Sequence, residues 1–233
     1  MQAPHLGLSL TFLRASLDFS YWAWYNIALQ PQPQTNTMPN HCSNTLSFTG
    51  KRSLCFDFAR DHYRFPEEWN EQPTQDSRKT TLDFSLCVPY PKGRQAGDGW
   101  YDYHVANWGT KWNAFDIFPE TFPEVIEGIE EDWTNDSARG MYIFSTAWSP
   151  PELWLKAATK QYPGLSFLLT YEEPGADYCG FVKAHGGSFT ETDIRTCSEF
   201  APDGVDYDDE AQAEAAWEEQ SENIANFFEE LSL

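Results

Sequence analysis

Residues 198–233 contain no lysine and no arginine, against twelve Asp and Glu. That segment holds a net −12 of the chain's −21. Duplex DNA is bound largely through Lys and Arg that replace counterions, so duplex nucleic acid is not expected as a partner. An acidic surface suits a protein partner with a basic surface, or simply keeps the chain soluble. Cysteine is also sparse, at five in 233 residues: Cys42, Cys55, Cys87, Cys179 and Cys197. The count is odd and no CxxC pair occurs, which argues against a disulfide framework and a zinc site of standard spacing. A reducing, cytoplasmic compartment is the simplest fit. The five His are scattered and no HExxH is present, so neither a metal nor a cofactor is expected. A phosphate-binding loop, a nucleophile–base triad and a paired-carboxylate motif are missing too, and the chain reads as non-enzymatic.

The N-terminal aromatic run reads as neither a membrane span nor a secretory leader. The aromatic run "FLRASLDFSYWAWYNIAL" is interrupted by Arg14 and Asp18, and it has neither a basic start nor a small-residue cleavage site. Residues 1–37 therefore read as an N-terminal extension. "QPQPQTNT" is its linker, and Met38 is a candidate alternative start. Residues 38–197 read as the folded domain, and 198–233 as an acidic amphipathic helical tail.

What is present is ample core material: 41% hydrophobic and 16% aromatic residues. Alternation predicts strands at 44–50, 111–118, 140–148, 165–173 and 178–187. In 111–118 it places Trp112, Ala114, Asp116 and Phe118 on one face, with Asn113, Phe115 and Ile117 on the other. Helices are expected over 51–64, 99–107 and 120–133, and residues 66–81 read as loop. "LDFSLCVPYPKG" starts strand-like and is stopped by Pro89 and Pro91. In "SPPELWLKAATKQYPG", Ser149 suits an N-cap and Glu152 completes a capping box. "PGAD" joins the last two strands as a hairpin turn. Trp217, Ile224, Phe228 and Leu231 recur at helical spacing in 208–231, a stripe that either docks on its own core or is offered to a partner.

This order predicts an α+β fold, a ferredoxin-like split β-α-β core with an extra C-terminal hairpin strand and a C-terminal acidic helix. "MPNHCSNTLSFTG", "NWGTKWNAFD" and "FSTAWSPPELW" follow one another, and "YEEPGADYCGFVKAHGG" closes the set. In this order they resemble the YubB-like ferredoxin-fold proteins of phages and plasmids, over about 38–187. The resemblance implies an accessory protein of a mobile genetic element. Residues 1–37 and the acidic helix after 198 depart from that pattern.

The stretch "NWGTKWNAFD" admits three readings. As a structural corner, Asn107 and Gly109 end a helix and Asn113 holds the turn. As a binding surface, Trp108, Lys111, Trp112, Asn113 and Trp148 present flat rings and a cation, and Trp217 and Phe228 add the apolar face of the tail. As an active site, Lys111, Asp116, His104 and Ser149 are candidates that nothing groups together. The expected function is protein contact by a non-enzymatic accessory factor. The alternatives are an acidic nucleic-acid mimic that inhibits a DNA-binding defence enzyme, and a single-stranded nucleic-acid binder using the sheet.

Overall fold

The computed structural model describes residues 40–64, 81–91, 99–231 and 233. The expected extension 1–37 and all but the last residue of the loop expected over 66–81 lie outside these residues.

The sheet is built from alternation. In β1 (His41–Lys51), Cys42, Asn44, Leu46 and Phe48 are buried on one side, while Ser43, Thr45 and Ser47 on the other are only half covered. β1 pairs antiparallel with β4 (Ser137–Ala147), with Leu46 opposite Tyr142. On its other edge it pairs antiparallel with β5 (Leu165–Glu173), with Leu46 opposite Leu169. β2 (Phe115–Phe118) and β3 (Glu130–Asp132) both pair with β4. β6 (Tyr178–His185) pairs with β5, and β7 (Ser188–Arg195) pairs with β6. Among the described residues the sheet therefore runs β2-β4-β1-β5-β6-β7, with β3 beside β4. Every pairing is antiparallel.

Helices cover the Leu46 face. α1 (Arg52–Asp61) buries Cys55, Phe58 and Ala59. α5 (Glu152–Gln161) buries Trp154, Leu155 and Ala158. Phe58 lies 4.8 Å from Phe48 and 5.2 Å from Phe167, ring centre to ring centre, so α1 is locked to β1 and β5. Such a ring stabilises the fold by about 1.5–3 kcal/mol through burial, and each aromatic pair adds roughly 0.5–1.5 kcal/mol. The short helices α2 (Phe84–Cys87), α3 (Trp100–Trp108) and α4 (Phe122–Glu127) complete this layer. Phe84 packs 4.6 Å from Trp154.

The acidic segment forms α6 (Glu210–Glu229), on the opposite face of the sheet. Phe181 shares the side of Thr170 and Thr45 through the β6–β5–β1 register, and its ring meets Phe227 of α6 at 6.0 Å. Ala213, Ala216 and Ile224 are buried. Ile224 packs with Cys179 and Cys197, flanked by Phe200 and Phe228.

Four expectations need correction. Residues 84–87 are helical rather than extended, because Asp83 caps the turn by accepting a hydrogen bond from the Ser85 N–H at 2.8 Å. The strand expected over 111–118 is confined to Phe115–Phe118. The helix expected over 120–133 ends at Glu127, and 130–132 join β4 as an edge strand. Ser149 does not cap α5: its hydroxyl donates to the Gly109 carbonyl at 2.7 Å, and the capping position falls to Pro151.

Candidate functional site

The Trp-rich corner is assembled where α3 meets the end of β4 and the start of α5. α3 stops at Gly109, whose φ of +88° is left-handed and open to glycine. A Cβ there would also sit 3.2 Å from the Pro150 carbonyl and 3.3 Å from the Glu152 and Leu153 nitrogens. The Thr110 hydroxyl donates to the Ala147 carbonyl at 2.9 Å, and that of Thr146 to the Ser149 carbonyl at 2.8 Å. Together with the Ser149–Gly109 bond, these fasten the corner to the sheet.

The structure distributes the predicted contact residues differently from the sequence reading. Trp108 is only 3% exposed. Its ring stacks on His104 at 3.8 Å and 14°, lies 5.8 Å from Phe84, and its Nε1–H donates to the Val88 carbonyl at 3.0 Å. It is therefore a core residue with a satisfied polar atom, and its ring is not on the surface. Asn113 is a clasp. Its Oδ1 accepts from the Phe84 N–H at 2.9 Å and the Ala114 N–H at 3.0 Å. Its Nδ2 donates to Asp83 Oδ1 at 2.8 Å, and Asp83 in turn pairs with Arg64.

Lys111 and Trp112 remain at the surface, half-buried. The Lys111 ammonium lies 5.1 Å from the Trp112 ring and 5.9 Å from the Tyr101 ring, within cation–π range. Trp148 is 49% exposed and has a φ of +74°. Left-handed backbone is unfavourable for so large a side chain. Two hydrogen bonds hold it: its N–H donates to the Asn40 carbonyl at 3.0 Å, and its carbonyl accepts from the Tyr178 hydroxyl at 2.6 Å.

Of the catalytic candidates, Asp116 is exposed, His104 lies under Trp100 and Trp108, and Ser149 bonds Gly109. Groups pushed away from their ordinary pKa lie elsewhere. Burial lowers that of His62 and raises that of Glu172. Burial also pushes the Cys42 thiol up to about 12. Among the described residues, no group of three or more His, Cys, Asp or Glu is placed to hold a metal ion. No helix among them is long and apolar enough to cross a membrane.

The second surface is α6. Asp209 caps it, accepting from the Ala211 and Gln212 N–H groups at 3.1 and 3.2 Å, and these bonds hold the carboxyl below its ordinary pKa. The inner stripe is Ala213, Ala216, Gln220, Ile224 and Phe227; of the predicted positions, Ile224 lies on it and Phe228 packs beside it, while Trp217 does not. Gln220 donates to the Cys197 carbonyl at 2.6 Å and Asn223 to that of Phe200 at 3.0 Å. The Arg195 guanidinium lies 4.6 Å from the Phe227 ring. Phe228 is half-buried at the edge of this contact. Trp217 falls on the shoulder of the stripe, in helical register with Glu210, Glu214 and Ser221, and is 60% exposed. Sequence spacing placed Trp217 on the apolar stripe; the two buried alanines, which carry a weak hydrophobic signal, set the true one.

Residues 129–223 match a family described as "Ferredoxin-like domain in Api92-like protein". The matched span runs from β3 into α6, so it takes in most of the acidic helix that the motif resemblance had left out. A crystal structure of the protein api92 from Yersinia pseudotuberculosis is similar at 9% identity and a TM-score of 0.42, over 68% of this chain and 98% of that one. No curated protein matches the chain. The antiparallel sheet with packed helices defines an α+β protein, whose residues 129–223 are similar to a ferredoxin-like domain.

Proposed function

We propose that the protein is a non-enzymatic accessory factor that acts by contact with a basic protein surface, and that α6 is the contacting element. The observation that carries this is Trp217, 60% exposed on a helix whose solvent side is lined with carboxylates. Solvated indole is an uncommon feature of a free surface and a common anchor in interfaces, where Trp dominates the binding energy. Tyr207, 53% exposed just before the helix, adds a second ring. The surrounding carboxylates steer a cationic partner and set the orientation of approach.

The core reads as a split β-α-β unit made of β1, α1, β2, β4, α5 and β5, with β6 and β7 added beyond β5. The order β2-β4-β1-β5 supports it. The motif resemblance supports an origin in a phage or plasmid, in a reducing cytoplasm. The nucleic-acid mimic is the second reading, favoured by the absence of any cation after Arg195.

The experiment is capture from bacterial lysate by the full chain, compared with Trp217→Ala and with Glu214→Lys, each with and without competitor duplex DNA. A partner retained by the wild type, weakened about tenfold or more by either variant and indifferent to DNA is the expected result. Release by DNA identifies the mimic. Capture undiminished by both variants refutes α6 as the contact.

A further inference from the structure

Two thiols meet beneath α6. Cys179 lies near the start of β6, opposite Arg195, and Cys197 opens the turn Cys197–Phe200 two residues past that pairing. Both are buried in one cluster with Ile224. The remaining cysteines, Cys42, Cys55 and Cys87, sit in the core on the other face. Cys55 there donates to the Ala138 carbonyl at 3.3 Å.

We propose that Cys179 and Cys197 form a dithiol–disulfide site, oxidised by low-molecular-weight disulfides such as oxidised glutathione, with α6 as its cover. Two thiols packed in one buried cluster, on a strand and the adjoining turn, have the placement from which a disulfide can close. The neighbours that face the pair are Glu172 on β5, which is opposite Cys179, with Arg195, Glu199 and Asp177 from β7 and the flanking turns. Arg195 lies opposite Cys179 in the register and its cation favours a thiolate there, so Cys179 is the attacking sulfur. Its thiolate attacks one sulfur of the small disulfide, forming a mixed disulfide and expelling one small thiolate. Cys197 then loses its proton, attacks the Cys179 sulfur and expels the second. Two protein thiols are oxidised and one small disulfide is reduced to two thiols.

The bond would clip β6 to the turn whose carbonyls anchor α6 through Gln220 and Asn223. Ile224 closes the site from above, so reagents enter when α6 lifts.

The test is incubation of the native full chain with oxidised glutathione, followed by intact-mass measurement and peptide mapping. The expected product has lost the mass of two hydrogens and yields one linked peptide pair, Cys179 to Cys197. Ile224→Ala should reach it roughly tenfold faster. Five persistently free thiols, a linkage between other cysteines, or a glutathione adduct that never closes overturns the site. An unchanged rate in a folded Ile224→Ala chain overturns α6 as its cover. Should that variant fail to fold, the wild-type peptide map decides the site, and the wild-type reaction rate with and without 2 M urea decides the cover, acceleration being expected and constancy refuting it.

Discussion

Asn113→Ala separates a structural corner from a contact surface. In the wild type, the Asn113 Oδ1 accepts from two backbone N–H groups, at 2.9 and 3.0 Å, and its Nδ2 donates to the buried Asp83 at 2.8 Å. Truncation leaves the Phe84 and Ala114 donors without this acceptor and takes one donor from Asp83. A buried unsatisfied donor costs about 1–3 kcal/mol. Asn113 itself is half-buried, so water replaces part of the loss, and the expected destabilisation is about 2 kcal/mol. With a urea m-value of about 2 kcal/mol/M, the unfolding midpoint falls by about 1 M. Asn113→Asp sharpens the test. The new carboxylate faces Asp83, so its folded pKa rises above the unfolded value of about 3.9. Stability relative to wild type is then fully present below that value and is lost as pH rises through the folded one. The penalty of Asn113→Asp should therefore shrink on acidification, whereas that of Asn113→Ala should not. A midpoint shift under about 0.2 M for Asn113→Ala, or no difference in pH dependence between the variants, refutes the clasp.

Further outcomes follow from the same geometry. In Gly140→Ala, the added methyl would sit 2.3 Å from Phe48 Cζ, against a ring already backed by Phe58. Overpacking of this kind costs about 1–3 kcal/mol, read as a lower urea midpoint. Gly109→Ala should destabilise by at least about 1 kcal/mol, since it adds left-handed backbone strain to close backbone contacts. His62 is buried, hydrogen-bonded to the Phe58 carbonyl at 2.8 Å, and its pKa is lowered by burial. Its contribution is present above the unfolded His value of about 6.5 and is lost as pH falls toward the depressed folded one. Stability should therefore drop between about pH 7 and 5, and His62→Gln should flatten that slope.

Strands that bury one face were legible because alternation follows burial directly, as in β1 with Leu46 and Phe48. β7 was not seen, because "SFTETDIR" is largely exposed on both sides and carries no pattern; its pairing to β6 makes it a strand. The α2 turn was missed because its helical state rests on the Asp83 cap and on Asn113, some thirty residues away. Trp108 and Trp112 look equivalent in sequence. They part only when α3 carries Trp108 beneath His104 and leaves Trp112 beside Lys111. Trp217 was assigned by spacing to the docked stripe, and the structure leaves it on the stripe's shoulder, 60% exposed.

Among the described residues, β2 and β7 are finished against further growth. β2 is four residues long and shifts register between Phe115 and Phe118, where Asp116 takes a φ of +48°. β7 carries Glu191, Asp193 and Arg195, with Lys183 reaching Glu191 at 3.0 Å. A short, irregular margin at one end and a charged one at the other discourage another chain from adding a strand. Association by main-chain pairing is thereby closed off along these two strands. Recognition there falls to side chains on the faces and helices, which single substitutions can tune without unravelling the sheet.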